Sequence, residues 1–312
     1  MTEKISLLVL HSQSDEHLAL LQQHYAVTYA PTLALRDAAV AAHGIAFRVV
    51  LTNGGAGLTP SEIDAMPQLE LICAMGAGYE NIALAAARAR GIVVANGAGT
   101  NDDCVADHAL GLLIAAVRGI VKLDRQCREG VWRDAIPFPP NVSGRKLGIL
   151  GLGTIGQKIA RRASAFDMAI GYHNRQPKAD VAHRYFDRLI GLAEWADFLI
   201  VATPGGAATR HLIDSAVLDA LGPRGVLVNI ARGSVVDTAA LAAALRDGRL
   251  GAAGLDVYES EPLPPAALIG LDNVVLTPHI AGWSPEAIEA SVRRFLANAQ
   301  GHFAGTGVVS PV

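Results

Sequence analysis

Cysteine is scarce in this chain: Cys73, Cys104 and Cys127 are the only three in 312 residues, widely spaced and with no CxxC pair. That excludes a disulfide framework and a thiolate zinc site, so no metal is expected. Free thiols in a reducing compartment, the cytoplasm, are expected instead. Net charge is also small, at −3. No general pull toward nucleic acid or an anionic membrane follows, and neither is expected as a partner; any anionic ligand must be held by local groups. Long apolar runs are missing. The longest, Ala109–Val117, is stopped by Arg118, far short of the roughly 20 residues that span a bilayer. The opening MTEKISLLVLHSQSDEH has only a brief apolar stretch and no small-residue cleavage pattern, so it is expected to be a first β-strand rather than a signal peptide. No repeat of solenoid length is present.

What the chain does have is core material and a βα rhythm. Hydrophobic residues make up 51% and charged residues 18%, a globular balance over a length that suits two domains. Ile5–Leu10, Phe47–Leu51, Glu70–Ala74 and Ile92–Ala95 read as strands, separated by helical patterns at Asp15–Gln23, Leu33–Ala42 and Asn81–Arg90. A second series follows residue 146. Its strands are expected at Leu147–Leu150, Ala169–Tyr172, Phe198–Ala202, Val226–Ile230, Ala252–Val257 and Val274–Thr277, with helices at Gln157–Phe166 and Thr238–Arg246. Asp102–Glu129 reads as one long helix leading out of the first series, and Pro285–Phe303 as another after the second. The fold class expected is α/β, with two Rossmann-like or flavodoxin-like domains, parallel sheets and an inter-domain cleft. Residues 1–97 plus 285–312 would form one domain and 98–284 the other.

Gly151–Gly156 reads GLGTIG. It follows a strand that reads as buried on both faces and opens a helix, the setting in which GxGxxG signals a dinucleotide. Gly151 permits the tight turn, Gly153 lets the backbone approach a pyrophosphate, and Gly156 allows close helix–strand packing. The N–H groups of Thr154 and Ile155 would face the phosphates. An NAD site places an acid about 20 residues on, at the end of the second strand. Here that strand runs into His173, Asn174 and Arg175, and no carboxylate lies between Asp167 and Asp180. An acid would repel a 2′-phosphate, whereas Arg175 can pair with one, Asn174 can add a hydrogen bond and Lys178 charge. NADPH is therefore expected over NADH.

Downstream stand Arg232 in NIARGS, Glu261 in DVYESEP and His279 in TPHIAG. With GAGTNDDCVADHALGL, GLGTIG, ATPGGAATRHLID, LVNIARGSVVD, GLDVYESEP and LTPHIAG in this order, the chain resembles the D-isomer-specific 2-hydroxyacid dehydrogenases over nearly its whole length. The YHNR segment is similar to that of their NADPH-dependent glyoxylate/hydroxypyruvate reductases. The resemblance implies roles. Arg232 would hold the substrate carboxylate, and His279 would be the general acid protonating the carbonyl oxygen as hydride arrives at its carbon. Glu261 would orient His279 and favour its protonated form, while Glu259 would face solvent or cap the turn. The N–H groups of Ala77 and Gly78, in MGAGYEN, would meet the carboxylate, and Asn101 would contact substrate. Val105, Gly282 and the backbone at Thr203 and Ala231 would line the cofactor, and Asp256 would accept a bond from its carboxamide.

Two positions depart from the family pattern. Asp107 stands where glutamate is commoner, and Trp283 where a small residue is. Trp283 either shapes substrate choice or packs between domains. NGGAG at Asn53–Gly57 lacks the Lys-Ser/Thr pair of a P-loop and is expected to border the substrate site. The function expected is reduction of glyoxylate or hydroxypyruvate by a homodimer. The alternatives are a reductase of a larger 2-oxo acid, phenylpyruvate-like or a 2-oxo sugar acid, and a non-catalytic dinucleotide sensor. Formate oxidation is disfavoured, because that branch carries Gln where Glu261 stands.

Overall fold

The computed structural model describes residues 4–312; Met1–Glu3, the start of the segment read as an opening strand, lie outside the described residues. The chain forms two compact units. Unit 1 holds the chain up to Asn101 together with Gly282–Val312, and unit 2 is Asp102–Ala281.

Unit 1 begins with β1 (Ser6–Val9), α1 (Asp15–His24), β2 (Ala26–Tyr29), α2 (Leu33–His43), β3 (Val49–Asn53), α3 (Pro60–Asp64), β4 (Leu71–Met75), α4 (Leu84–Ala89) and β5 (Val93–Ala95). The strands make one parallel sheet in the order β2-β1-β3-β4-β5. Leu7, Val9, Val49, Leu51 and Leu71 face one buried layer, and Leu8, Val50 and Ile72 the other. A strand covered on both faces needs this continuous apolar run.

Unit 2 opens with α5 (Asp102–Arg118) and α6 (Ile120–Arg128). β6 (Lys146–Leu150), α7 (Thr154–Ser164), β7 (Ala169–His173), β8 (Arg184–Tyr185), α8 (Leu189–Trp195), β9 (Phe198–Val201), α9 (Ser215–Leu221), β10 (Val226–Asn229), α10 (Thr238–Arg246), β11 (Ala252–Leu255) and β12 (Val274–Leu276) follow. Its parallel sheet runs β12-β11-β10-β9-β6-β7-β8. The order reverses direction between β6 and β9, and in open α/β sheets ligands sit beyond the carboxyl ends of the strands at such a switch. The loops carrying GLGTIG, Arg232, Glu261 and His279 all leave carboxyl ends of this sheet. The chain then returns to unit 1 through α11 (Pro285–Phe303).

Several sequence expectations are corrected. The pattern over Asp102–Glu129 is two helices, not one. Gly119 at φ 62 interrupts it, and the axes differ by 58°, because a left-handed residue cannot continue a right-handed helix. α5 is a core helix, with Val105, Ala106, Ala109 and Leu113 among its buried residues. The helix expected over Asn81–Arg90 shrinks to Leu84–Ala89, since Asn81–Ala83 instead pair with Leu58. The sequence pattern does not reveal the strands β2 and β8, nor α3, α8 and α9: β2 is a half-exposed edge strand and β8 only two residues long. Among the described residues no single helix is long and apolar enough to cross a membrane.

Candidate dinucleotide and acid–base site

The glycine-rich turn is built as its sequence requires. Gly151 has φ 97, and a Cβ there would lie 2.8 Å from the Ala202–Thr203 peptide. A Cβ on Gly156 would reach to 2.2 Å of the Gly151 carbonyl oxygen. Both positions demand glycine for close approach. Gly153 has open space around its missing side chain and sits at the N-cap of α7 with no side chain bonded to the free helix N–H groups. An uncapped helix start behind a side-chain-free approach fits a pyrophosphate. Thr154 and Ile155 lie in that first turn.

The loop after β7 is tied to this turn. Gly151 N–H donates to the His173 carbonyl at 3.0 Å, and Leu152 N–H donates to Asn174 Oδ1 at 2.8 Å. Asn174 thus spends its acceptor on the glycine turn and keeps its Nδ2 donors. Arg175 and Lys178 follow, both exposed. The His173 ring is pinned through Nδ1, 2.8 Å from the Phe186 carbonyl oxygen.

Around the acid–base pair, three loops converge. His279 Nδ1 lies 2.7 Å from Glu261 Oε2, while Glu261 Oε1 accepts the Tyr258 N–H at 2.7 Å. Burial pulls the Glu261 carboxyl up, but these bonds and the nearby Arg232 charge outweigh it and hold it below the usual range. The bond to Glu261 raises His279 above the ordinary imidazole value, against burial and the Arg232 charge. Half of the His279 side chain (49%) remains exposed, so the ring is reachable. An ion-paired, accessible imidazolium with a guanidinium in its field can donate a proton next to a bound anion.

His279 also has φ 53, a left-handed conformation that costs a non-glycine residue energy and persists only when its surroundings enforce it. Asp256 enforces it. Fully buried, it accepts from Thr277 Oγ1 at 2.6 Å, Ile280 N–H at 2.9 Å and Ala281 N–H at 2.9 Å, and its carbonyl takes the His279 N–H at 2.8 Å. These bonds, with one from His108, outweigh burial and keep Asp256 ionised below the usual carboxylate range. Expected to meet the cofactor carboxamide, Asp256 anchors the histidine turn.

Arg232 is held in the same way. Buried Asn229 accepts the Ala231 N–H at 3.0 Å and donates to the Arg232 carbonyl at 3.0 Å, and Arg232 Nη1 donates to the Ala231 carbonyl at 2.6 Å. Ala231 thus has both backbone groups engaged within its loop. Glu259 does cap, but not toward solvent: Oε2 accepts Thr238 N–H and Oγ1 at the start of α10, and Oε1 lies 2.7 Å from His211 Nε2. Val105 faces the unit 2 core, and Thr203 lies against Gly151. Asp107, with Asp103, pairs with Arg162 and fastens α5 to α7.

In unit 1, Ala77 and Gly78 follow β4, and their N–H groups have no backbone partner among the described residues. Asn101 and Gly282 are neighbours: a Cβ on Gly282 would lie 2.7 Å from Asn101 Nδ2. Trp283 is 72% exposed. Sequence reasoning does not find Asn229, Tyr258, Thr277 and His108. The one visible signal is a polar residue inside an apolar strand pattern, as in VLVNI.

Residues 110–281 match the family model described as the NAD-binding domain of D-isomer specific 2-hydroxyacid dehydrogenases. A glyoxylate/hydroxypyruvate reductase A of Arabidopsis thaliana is 41% identical over 271 residues, covering 86% of this chain and 87% of that protein. A hydroxyphenylpyruvate reductase of Plectranthus scutellarioides is 40% identical, covering 85% of each chain. The structure of an NADPH-dependent glyoxylate/hydroxypyruvate reductase from Sinorhizobium meliloti, in complex with NADP and malonate, superposes with a TM-score of 0.91 at 37% identity, covering 99% of this chain and 97% of that one. With its glycine turn, its ion-paired histidine and these likenesses, the chain belongs to the D-isomer-specific 2-hydroxyacid dehydrogenase family.

Proposed function

We propose that this chain is an NADPH-dependent reductase of small 2-oxo acids, glyoxylate or hydroxypyruvate, yielding the D-2-hydroxy acid. The observation that carries the reading is the His279–Glu261 pair at 2.7 Å with Arg232 in its field. The Arabidopsis and Sinorhizobium relatives support the substrate and the cofactor. NADPH, when bound, supplies the hydride. Unit 2 holds it through the N–H groups of Thr154 and Ile155 at the pyrophosphate and through Arg175 and Asn174 Nδ2 at the 2′-phosphate. Thr203, against the glycine turn, lies along the rest of its path, while Val105, Ala231 and Asp256, buried behind it, shape that path from within.

Arg232 grips the substrate carboxylate with its planar fork and polarises the neighbouring carbonyl, and the Ala77 and Gly78 N–H groups add to that grip. Asn101 and Gly282 belong to the same substrate side. His279, whose protonated form Glu261 favours, gives its proton to the developing alkoxide. In the reverse reaction it takes that proton back. Glu261 stays ionised throughout and fixes the ring.

A homodimer in the cytoplasm fits this reading. Ile120, Val121, Trp132 and Phe138 stand exposed on and after α6, and an apolar stretch of this kind suits a partner. The cysteines are free thiols. The Plectranthus relative favours one further reading, reduction of an aromatic 2-oxo acid.

The test is a panel of glyoxylate, hydroxypyruvate, phenylpyruvate and 2-oxogluconate with NADPH and with NADH, run on the wild type and Arg175→Asp. Highest kcat/KM on a two- or three-carbon acid with NADPH is expected. In Arg175→Asp, NADPH efficiency should fall about 10- to 100-fold, as expected for losing a charge-assisted pair, while NADH use survives. Absence of turnover with every acid would overturn the enzyme reading and leave the sensor.

A further inference from the structure

The loop Gly76–Gly78 is walled on both sides by backbone. A Cβ on Gly54 would lie 2.9 Å from the Gly78 carbonyl carbon, and one on Gly97 2.7 Å from the Gly76 nitrogen. Asn96, 8% exposed, bonds the loop itself, donating from Nδ2 to the Ala77 carbonyl at 2.9 Å. Its Oδ1 accepts the Ala98 N–H at 3.1 Å, so both ends of the amide are engaged and its orientation is set.

Asn96 is itself held from the other end of the chain. Its N–H donates to the Ser310 carbonyl at 3.1 Å. Its carbonyl accepts from Ser310 Oγ at 2.6 Å and Asn298 Nδ2 at 3.3 Å. Asn298, 1% exposed on α11, closes the network by accepting the Val309 N–H at 2.8 Å and the Ser310 N–H at 3.2 Å. Buried polar groups that bond only one another and the backbone have one low-energy arrangement, because any shift leaves a partner unpaired in an apolar surround.

From this network we infer that Asn96, backed by Asn298 and Ser310, is a positioning residue for the substrate carboxylate: it fixes the Ala77 peptide so that the Ala77 and Gly78 N–H groups stay aimed at the anion. The inference rests on the reading above that these two N–H groups meet the carboxylate. Turning the Ala77 peptide rotates the Gly78 N–H with it, since the carbonyl and the following N–H share one plane. Asn96 therefore controls the Gly78 donor directly. Because a peptide dipole aimed at the carboxylate acts in both ground and transition states, its loss weakens binding more than turnover.

The experiment compares wild type, Asn96→Ala, Asn96→Asp and Ser310→Ala in the full chain. It reads KM and kcat for glyoxylate, Kd for NADPH by fluorescence titration, and thermal midpoint. Asn96→Ala should raise KM about tenfold, the loss expected for one buried hydrogen bond, with kcat changed less than about threefold and NADPH Kd unchanged. Asn96→Asp conserves shape but sets a carboxylate oxygen against the Ala77 carbonyl, and should raise KM further. Ser310→Ala, which leaves the amide in place, should give a smaller rise and guards against a variant that fails to fold. An unchanged KM in Asn96→Asp and Ser310→Ala overturns the inference, as does an equal fall in kcat and NADPH affinity. Wild-type turnover of glyoxylate in the same assay keeps either result separate from failure of the proposed function.

Discussion

His279 carries two costs that its neighbours offset: a left-handed backbone and a charge near Arg232. Asp256 meets the first and Glu261 the second. Their separation gives a direct test. Because the folded pKa of His279 is raised by Glu261, reduction should be flat on the acid side and fall as pH rises through that raised value. Glu261→Gln removes the largest raising cause, so the falling limb should move to lower pH; a limb that stays in place would remove Glu261 from the role. The same sign holds for stability. The His279 contribution is fully present below the unfolded imidazole pKa, about 6.5, and is lost as pH climbs through the raised folded value, modestly so for a half-exposed ring. His279→Ala should lower kcat about 10²- to 10⁴-fold with little change in NADPH Kd. Arg232, Glu261 and His279 are nominated by the family resemblance, which rests on the order and spacing of the motifs that hold them. Asn229, Tyr258 and Asn96 are not, since their value lies in which carbonyl stands opposite, and that depends on strand register rather than residue type.

Elements differ in how plainly their sequences announce them. β3, β4, β6, β9 and β10 are covered on both faces and read as apolar runs, whereas the edge strands β2 and β8 carry no such run and leave no signal. α10 and α11 keep the bounds expected from the sequence, and in the structure Asp237 and Ser284 cap them through their side chains. The break between α5 and α6 is not so expected, because a glycine inside an apolar helical pattern reads as a mild weakening rather than a stop. A Cβ at Gly119 would meet nothing within 4 Å, so Gly119→Ala isolates the conformational term. It should cost about 1–2 kcal/mol and lower the thermal midpoint by a few degrees, leaving kcat unchanged. A variant as stable as wild type would show that the left-handed break is not retained in solution.

At the scale of the whole molecule, the exposed apolar side chains of Trp132 and Phe138 lead to an expectation about assembly. Light scattering should give twice the chain mass for the wild type, and the double variant Trp132→Ser, Phe138→Ser should shift the population toward single chains. A dimer untouched by both changes would place the interface elsewhere. Two domains are foreseeable from length and from the two βα series, and a return of the last helix to the first series is visible only as a long amphipathic stretch after the final strand. That return has a consequence for how the protein is made. Unit 1 takes its sheet from the chain before Asn101 but its covering helix, and Pro311 that bridges to Ala95 of β5, from Gly282–Val312. During vectorial synthesis all of unit 2 emerges in between and can fold as it leaves the ribosome. The older part must wait, its apolar sheet face uncovered at Val49, Leu71 and Cys73, until Val292, Phe295 and Ala299 arrive to cover it. Of the two units, the stretch left longest open to chaperones and proteases during biogenesis is therefore the earlier-made part of unit 1.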